Sequence, residues 1–254
     1  TWFITGLGGS LYMYLLEGEN SALLIDTAYG LGDLRSYCEK LTEKPVFAAD
    51  THGHLDHSGG NGFFEKVYMH KNVGMDFEAT RDDQLVDYGS LPFPDYQKIY
   101  LKEGDTIDLG GRVLEILDIS AHSNSSLAFL DTSRRLLYCG DELESKQVLM
   151  YPIATDENHP HDFSKKIARH KANMEKLLSR GDEFDFCCPA HNGAPISKSY
   201  IEDYIGLDES ILAGHPVVEE KLNHPYIEMD PIAPRLCRVR YKKASFFVLK
   251  EDLL

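Results

Sequence analysis

The stretch His52-Gly53-His54-Leu55-Asp56-His57 decides how this chain is read. It packs three imidazoles and a carboxylate into six residues, directly after the apolar, strand-like run Val46 to Ala49. Neutral imidazole nitrogen and carboxylate oxygen are the donors that borderline divalent ions such as zinc prefer, and neither holds a metal well alone. Clustering supplies the chelation. His52 and His54 stand two apart on a chain leaving a strand, so they can meet at one ion while Asp56 and His57 reach a neighbouring one. Gly53, and then Gly59 and Gly60, permit the tight path. A histidine-rich surface loop is the alternative, but polar clusters of this density are usually metal sites.

Working outward, three more segments put a potential ligand beside turn residues just after an apolar run. They are His122 after Val113 to Ile119, Asp141 after Leu136 to Gly140, and His191 after Phe186 to Pro189.

The order His-x-His-x-Asp-His, a lone His, Gly-Asp, then Pro-Ala-His resembles the metallo-β-lactamase-fold hydrolases. The similarity runs from the strand pair ending in Leu24, Ile25, Asp26 and Thr27 to a closing strand near Ser245 to Lys250. It implies an α/β fold, a four-layer αββα sandwich with the metal site at the edge of the two sheets. It further implies that His52, His54 and His122 bind a first metal, that Asp56, His57 and His191 bind a second, and that Asp141 bridges them. Asp26 would lie below the metals and support ligand histidines; helix capping is its rival role. The expected cofactor is two divalent ions per chain, Zn2+ first, with Mn2+ or Fe2+ as alternatives.

The branch that hydrolyses β-lactams typically has a cysteine serving the second zinc, and Cys139 lies two residues early for that. An acidic residue in place of His54 would have pointed to a di-iron redox protein. One departure stands out. Family members often carry Pro-Gly-His-Thr-Pro-Gly around the third ligand, whereas this chain reads Ser120, Ala121, His122, Ser123, Asn124, Ser125, Ser126. That loop is expected to be wider or more polar, and a purely structural His122 is the competing reading. Asn124, Ser125 or Ser126 would either hydrogen-bond substrate or satisfy local backbone groups.

Two divalent cations about 3.5–4 Å apart can share one water and lower its pKa towards about 7, giving a bridging hydroxide as nucleophile. Asp56 is the catalytic candidate, because a carboxylate bound to one metal keeps an oxygen free to orient that water or take its proton. The glyoxalase II-like, lactonase and acyl thioesterase branches share this ligand pattern, so the expected scissile group is a carboxylic ester, thioester or lactone. A phosphodiesterase on the same dinuclear site, an iron-dependent persulfide dioxygenase, and a non-catalytic binding protein retaining the fold are the alternatives.

The composition bounds these readings. At 254 residues the chain suits one large domain, 1–254, and shows no linker. A net charge of −15 argues against nucleic acid as the main partner, since phosphate binding needs clustered Lys and Arg. The one dense basic group, Lys165, Lys166, Arg169, His170 and Lys171, reads as a solvated helix face. Apolar runs are strand-sized, well short of the roughly 20 residues of a membrane span, so no membrane partner is expected. The five cysteines form neither a zinc-knuckle spacing nor a disulfide framework, which fits a cytoplasmic setting. Cys187 and Cys188 read as small buried hydrophobes. Thr1 is not an initiator methionine, so the chain reads as trimmed or processed, and a removed secretion leader stays open.

Leu11 to Leu16 and Ala22 to Ile25 read as a hairpin turning at Gly18 to Asn20. Helices are expected over Leu31 to Leu41, over Asp162 to Leu178 with Asp162 as N-cap, and from Ser197 towards Leu212, interrupted or bent near Gly206. Strands are expected at Arg112 to Leu117, Ser126 to Leu130 and Leu136 to Cys139. Two irregular stretches should carry substrate choice. Met75 to Tyr96 reads as an acidic lid insertion tipped by Leu91 to Pro94, and Met150 to His161 as a second loop. Phe93, Tyr151, His159 and His161 are the candidate contacts for a small-molecule substrate.

Overall fold

The computed structural model describes residues 1–80, 95–152 and 162–254. Its first sheet has six strands in spatial order β1 (Trp2–Gly6), β2 (Leu11–Glu17), β3 (Ala22–Ile25), β4 (Val46–Ala49), β5 (Lys66–His70) and β6 (Gln97–Leu101). The first three are antiparallel, and β3 to β6 run parallel. The second sheet takes β7 (Thr106–Asp108), β8 (Val113–Asp118), β9 (Leu127–Asp131) and β10 (Leu136–Gly140). After β11 (Val148–Leu149), which joins a third sheet, it is completed by β12 (Phe186–Pro189) and β13 (Ile196–Ser197).

Period-two alternation explains why these segments stack as layers. Along the hairpin, Tyr14, Leu16, Leu23 and Ile25 face the second sheet, where they meet Leu114, Ile116, Leu127, Phe129 and Tyr138. Their neighbours Met13, Leu15, Ala22 and Leu24 face outward with Ala48, Val67 and Met69, against Cys38 of α1 (Leu34–Cys38) and Val73. The second sheet is likewise double-sided. Leu117, Leu130, Leu137 and Cys139 turn away from the first sheet to pack on α4 (Phe163–Ser179) and α5 (Tyr200–Leu212). The adjacent Cys187 and Cys188 point into these two different cores, and all five cysteines are buried and free. Helix, sheet, sheet, helix is the αββα sandwich.

The sequence signals left part of this unread. A third sheet, in order β11, β16 (Ala244–Leu249), β15 (Leu236–Tyr241) and β14 (Val217–Glu219), covers the outer side of α4 and α5 through Cys237, Val239, Phe246 and Val248. Helix α1 is shorter than expected. Asp33 caps it only at residue 34, and after Cys38 the chain tightens into turns in which Lys40 and Leu41 amides bond Tyr37 and Cys38 carbonyls. Helix α5 is not interrupted at Gly206. There the missing side chain makes room for the Tyr241 ring, which an added Cβ would meet at 2.3 Å. The supposed insertion begins as part of α3 (Val73–Thr80), while 81–94 lie outside the described residues. No helix among the described residues is long and apolar enough to cross a membrane.

This topology gathers the site. Strands β8, β10 and β12 run in one direction, and the candidate ligands His122, Asp141 and His191 all follow C-terminal strand ends, as do Asp26 after β3 and His52 after β4. The two sheets are stitched together at this edge. Leu127 N donates to Thr51 O at 2.7 Å and Tyr12 N donates to Ala190 O at 2.8 Å.

Candidate metal centre

The chain leaves β4, bends at Thr51 and His52, and is extended at His54 before it turns into the one-turn helix α2 (Leu55–Ser58). An added Cβ at Gly53 would lie 2.4 Å from Val73 O, so only glycine lets this loop pass beneath α3. His52 and His54 thereby converge with His122. His54 Nδ1 lies 3.0 Å from His52 Nε2 and 3.1 Å from His122 Nε2. A second group forms beside it, with His191 Nε2 3.3 Å from His57 Nε2 and 3.2 Å from Asp56 Oδ2. Asp141 Oδ2 sits between the groups, 3.4 Å from His57 Nε2, 3.6 Å from His191 Nε2, 3.8 Å from His122 Nε2 and 3.9 Å from His52 Nε2.

These donors fit divalent metal. Around a tetrahedral ion with bonds of about 2.0–2.2 Å, neighbouring donor atoms stand about 3.3–3.6 Å apart, and the spacings here, from 3.0 to 3.9 Å, bracket that range. Among the described residues, three groups of donor atoms are close enough for one ion: His52, His54 and His122; His52, His57 and Asp141; and Asp56, His57 and His191. Asp141 Oδ1 is buried without a hydrogen-bond partner, an orphaned carboxylate oxygen of the kind a cation satisfies.

The far side of the imidazoles sets their tautomers. His122 Nδ1 donates to Leu149 O at 2.7 Å and His191 Nδ1 to Ser10 O at 2.6 Å. His57 Nδ1 donates to Asp26 Oδ2 at 3.0 Å. Asp26 also accepts from Thr51 N at 2.7 Å and Thr51 Oγ1 at 2.9 Å, and Thr51 Oγ1 in turn stands 3.2 Å from His52 Nδ1. Since the hydroxyl proton is committed to Asp26, His52 Nδ1 must be the donor to Thr51. In all four rings Nδ1 carries a proton, so Nε2 is the atom that faces Asp141 or its neighbours and is left for a cation. Asp26 is thus a buried acceptor beneath His57, not a helix cap; its φ of +62° bends the chain at the end of β3.

The two groups differ electrostatically. Burial and neighbouring imidazoles push His54 and His122 down to about 4 and hold His52 well below its ordinary value, so these rings are neutral, the form in which imidazole can bind a metal. Burial also pulls on His191, yet the carboxylates of Asp141 and Asp56 carry it up to about 10. The second group therefore holds proton charge that a cation would displace.

Other sequence expectations fall differently. Tyr151 is buried in an apolar cluster with Leu222, Leu236, Phe247 and Leu249. Phe93, His159 and His161 lie outside the described residues. Cys139 faces the helical layer and donates to Leu143 O, away from the centre. The basic stretch of α4 is solvated only in part. His170 is fully buried between Asp208 and Glu142 O, and Lys166 Nζ donates to His122 O at 3.1 Å. Thr51, Asp76 and the carbonyls of Ser10 and Leu149 were not singled out from sequence. Thr51 was adjacent to the motif and readable; the others become visible only once distant segments meet.

Residues 7–215 match the family profile described as the metallo-beta-lactamase superfamily. The chain belongs to this superfamily. Among curated superfamily relatives, it is 28% identical over 166 residues to the human acyl-coenzyme A thioesterase MBLAC2, covering 53% of this chain and 58% of that protein. It is 30% identical over 134 residues to a hydroxyacylglutathione hydrolase from Synechococcus, covering 52% of this chain and 48% of that protein. The chain thus spans about half the length of the curated relatives it matches. The crystal structure of a metallo-beta-lactamase family protein from Thermus thermophilus superposes with a TM-score of 0.61 at 21% identity, covering 84% of this chain and 80% of that one, a likeness of fold.

Proposed function

We propose that this chain is a metal-dependent hydrolase that cleaves a thioester or a related carboxylic ester or lactone at a dinuclear centre. The observation that carries the reading is the position of Asp141 Oδ2, within 3.4–3.9 Å of four imidazole nitrogens drawn from both ligand groups. A carboxylate in that position is suited to join two cations. His52, His54 and His122 would hold one, and Asp56, His57 and His191 the other. The names of the thioesterase and hydroxyacylglutathione hydrolase relatives favour a thioester within this class.

Two divalent cations held there would acidify a water and polarise the scissile carbonyl. The chain's own groups do the rest. The side chains of Asp56 and His191 are each 23% exposed, and with the half-buried His54 they mark the open side of a cluster whose other members are buried. Asp56 Oδ2 lies against His57 Nε2 and His191 Nε2, so its second oxygen is available to orient the attacking water and accept its proton. The fixed Nδ1 donors keep the rings of His52, His57, His122 and His191 from turning as charge develops, which limits reorganisation during attack.

The test is metal stoichiometry by mass spectrometry on the purified protein, run beside hydrolysis of one generic thioester, one lactone and one aryl phosphodiester. About two zinc per chain with thioester turnover is the expected result. Turnover of the phosphodiester alone, or one iron with oxygen consumption, would overturn it.

A further inference from the structure

Helix α3 lies across the loop carrying His52 and His54 and touches it twice. Thr80 Oγ1 accepts from the Leu55 amide at 3.0 Å, where α2 begins. One turn earlier, Asp76 reaches the same loop through two buried serines of the His122 loop. The Gly53 amide donates to Ser125 Oγ at 2.9 Å, and Ser125 Oγ donates to Asp76 Oδ2. Ser123 Oγ donates to that same oxygen at 2.5 Å and accepts from the Ser125 amide at 3.0 Å.

The proton inventory leaves no slack. Each hydroxyl has a single proton, and both protons go to Asp76. The lone pairs of each hydroxyl are then left for a backbone amide, Gly53 for Ser125 and Ser125 for Ser123. The two hydroxyl oxygens, 2.9 Å apart, are held side by side by the carboxylate rather than by a bond between them. A single anionic oxygen therefore fixes the peptide between His52 and His54 and, at the same time, the residues that follow His122. Those are the segments whose ring nitrogens meet at 3.0 and 3.1 Å. The group formed by Asp56, His57 and His191 is anchored elsewhere, on Asp26 and on Ser10 O. Where the loop departs from the proline- and glycine-bearing form, its serines find their rigidity in a carboxylate delivered by α3.

We propose that Asp76 is a positioning residue that sets metal affinity at the His52, His54 and His122 position, acting through the hydroxyls of Ser123 and Ser125. This rests on the metal reading of the centre, and the experiment separates the two. The full chain, stripped of metal, is titrated with zinc against a chromophoric chelator to obtain two stepwise constants, and His54→Ala identifies which constant belongs to the position in question.

Asp76→Ala and Ser125→Ala are each expected to weaken that constant about 10- to 100-fold, the range for residues that orient metal ligands. The other constant should stay within about threefold, and the double variant should be no weaker than its weaker parent, because the two groups act in series. Ser125→Thr keeps the hydroxyl and should stay within about threefold of wild type. If Asp76→Ala does not fold, the contrast between Ser125→Thr and Ser125→Ala carries the test. Unchanged constants, losses that multiply in the double variant, or an equal fall at both positions would overturn the proposal. A wild-type chain that takes up no zinc would overturn the metal reading itself.

Discussion

Asp26→Asn changes almost nothing in shape, which makes it a sharp probe of how the centre is held. Asparagine tolerates the positive φ of +62° at this position and fills the same volume. One oxygen can still accept from Thr51 N. The other carboxylate oxygen becomes an amide donor facing His57 Nδ1 and Thr51 Oγ1. His57 then gains by carrying its proton on Nε2, the atom that faces Asp141. The Thr51 hydroxyl, released from Asp26 and now an acceptor for the amide, turns its proton on His52 Nδ1 and inverts that ring too.

Binding a cation would require each ring to be turned back against a mismatched donor. The cost per ring is about that of one lost hydrogen bond to a charged group, roughly 1.5–3 kcal/mol. At 1.4 kcal/mol per tenfold, that is about 10- to 100-fold in each metal constant. Zinc titration of the metal-free protein against a chelator measures it, with circular dichroism to show that the sheets persist. Both constants unchanged in a folded Asp26→Asn protein would refute the tautomer argument.

Three other perturbations have defined outcomes. Asp141→Asn should empty or weaken one metal position and lower hydrolysis by orders of magnitude; mass spectrometry and turnover on one sample check both. Gly53→Ala places a Cβ 2.4 Å from Val73 O and 2.9 Å from Val73 Cα, backbone that can yield only if α3 lifts. Its expected cost is about 1–3 kcal/mol in urea unfolding, with weaker zinc binding. His170 gives a pH signature. Its two ring nitrogens face Asp208 Oδ2 at 2.8 Å and Glu142 O at 3.0 Å, so the ring carries both protons. Burial opposes this charge, but Asp208 and Glu142 lift the pKa above its ordinary value. A raised folded pKa stabilises fully below the unfolded value of about 6.5 and loses that contribution as pH rises through the folded value. The stability gap between wild type and His170→Gln, measured at saturating zinc, should therefore be widest below the unfolded value of about 6.5 and narrow as pH rises through the raised folded value.

How much of this was readable in advance depends on sequence distance. The hairpin β2–β3, the strands that precede each ligand and the capped helix α4 declare themselves through period-two or 3.6-residue patterning within a few residues. The short strands of the third sheet do not. β14 has three residues and β11 two, too few for any period, and they exist because β15 and β16 offer edges to pair with. At the centre, the motif residues announced themselves by density. Ser125 stood out only as one polar residue of the His122 loop, and Asp76 gave no sign, until α3 and the β8–β9 loop close over Gly53. His170 and Lys166 misled for a related reason. A basic run predicts a solvated face only when no carboxylate or carbonyl waits beneath it, and here Asp208, Glu142 O and His122 O do.

The stitching of two sheets at one edge has a consequence for how the chain assembles. His57 hangs from the first sheet and His191 from the second, 134 residues further along, so their donor atoms come within bonding distance of one ion only after both sheets exist and have met. A cation can grip the early loop sooner, but its full coordination arrives last. Interactions absent from the folding transition state slow unfolding without speeding folding. Zinc should accordingly act on this protein as a clasp rather than a seed, lengthening the lifetime of the folded chain while the refolding rate stays where the metal-free chain sets it.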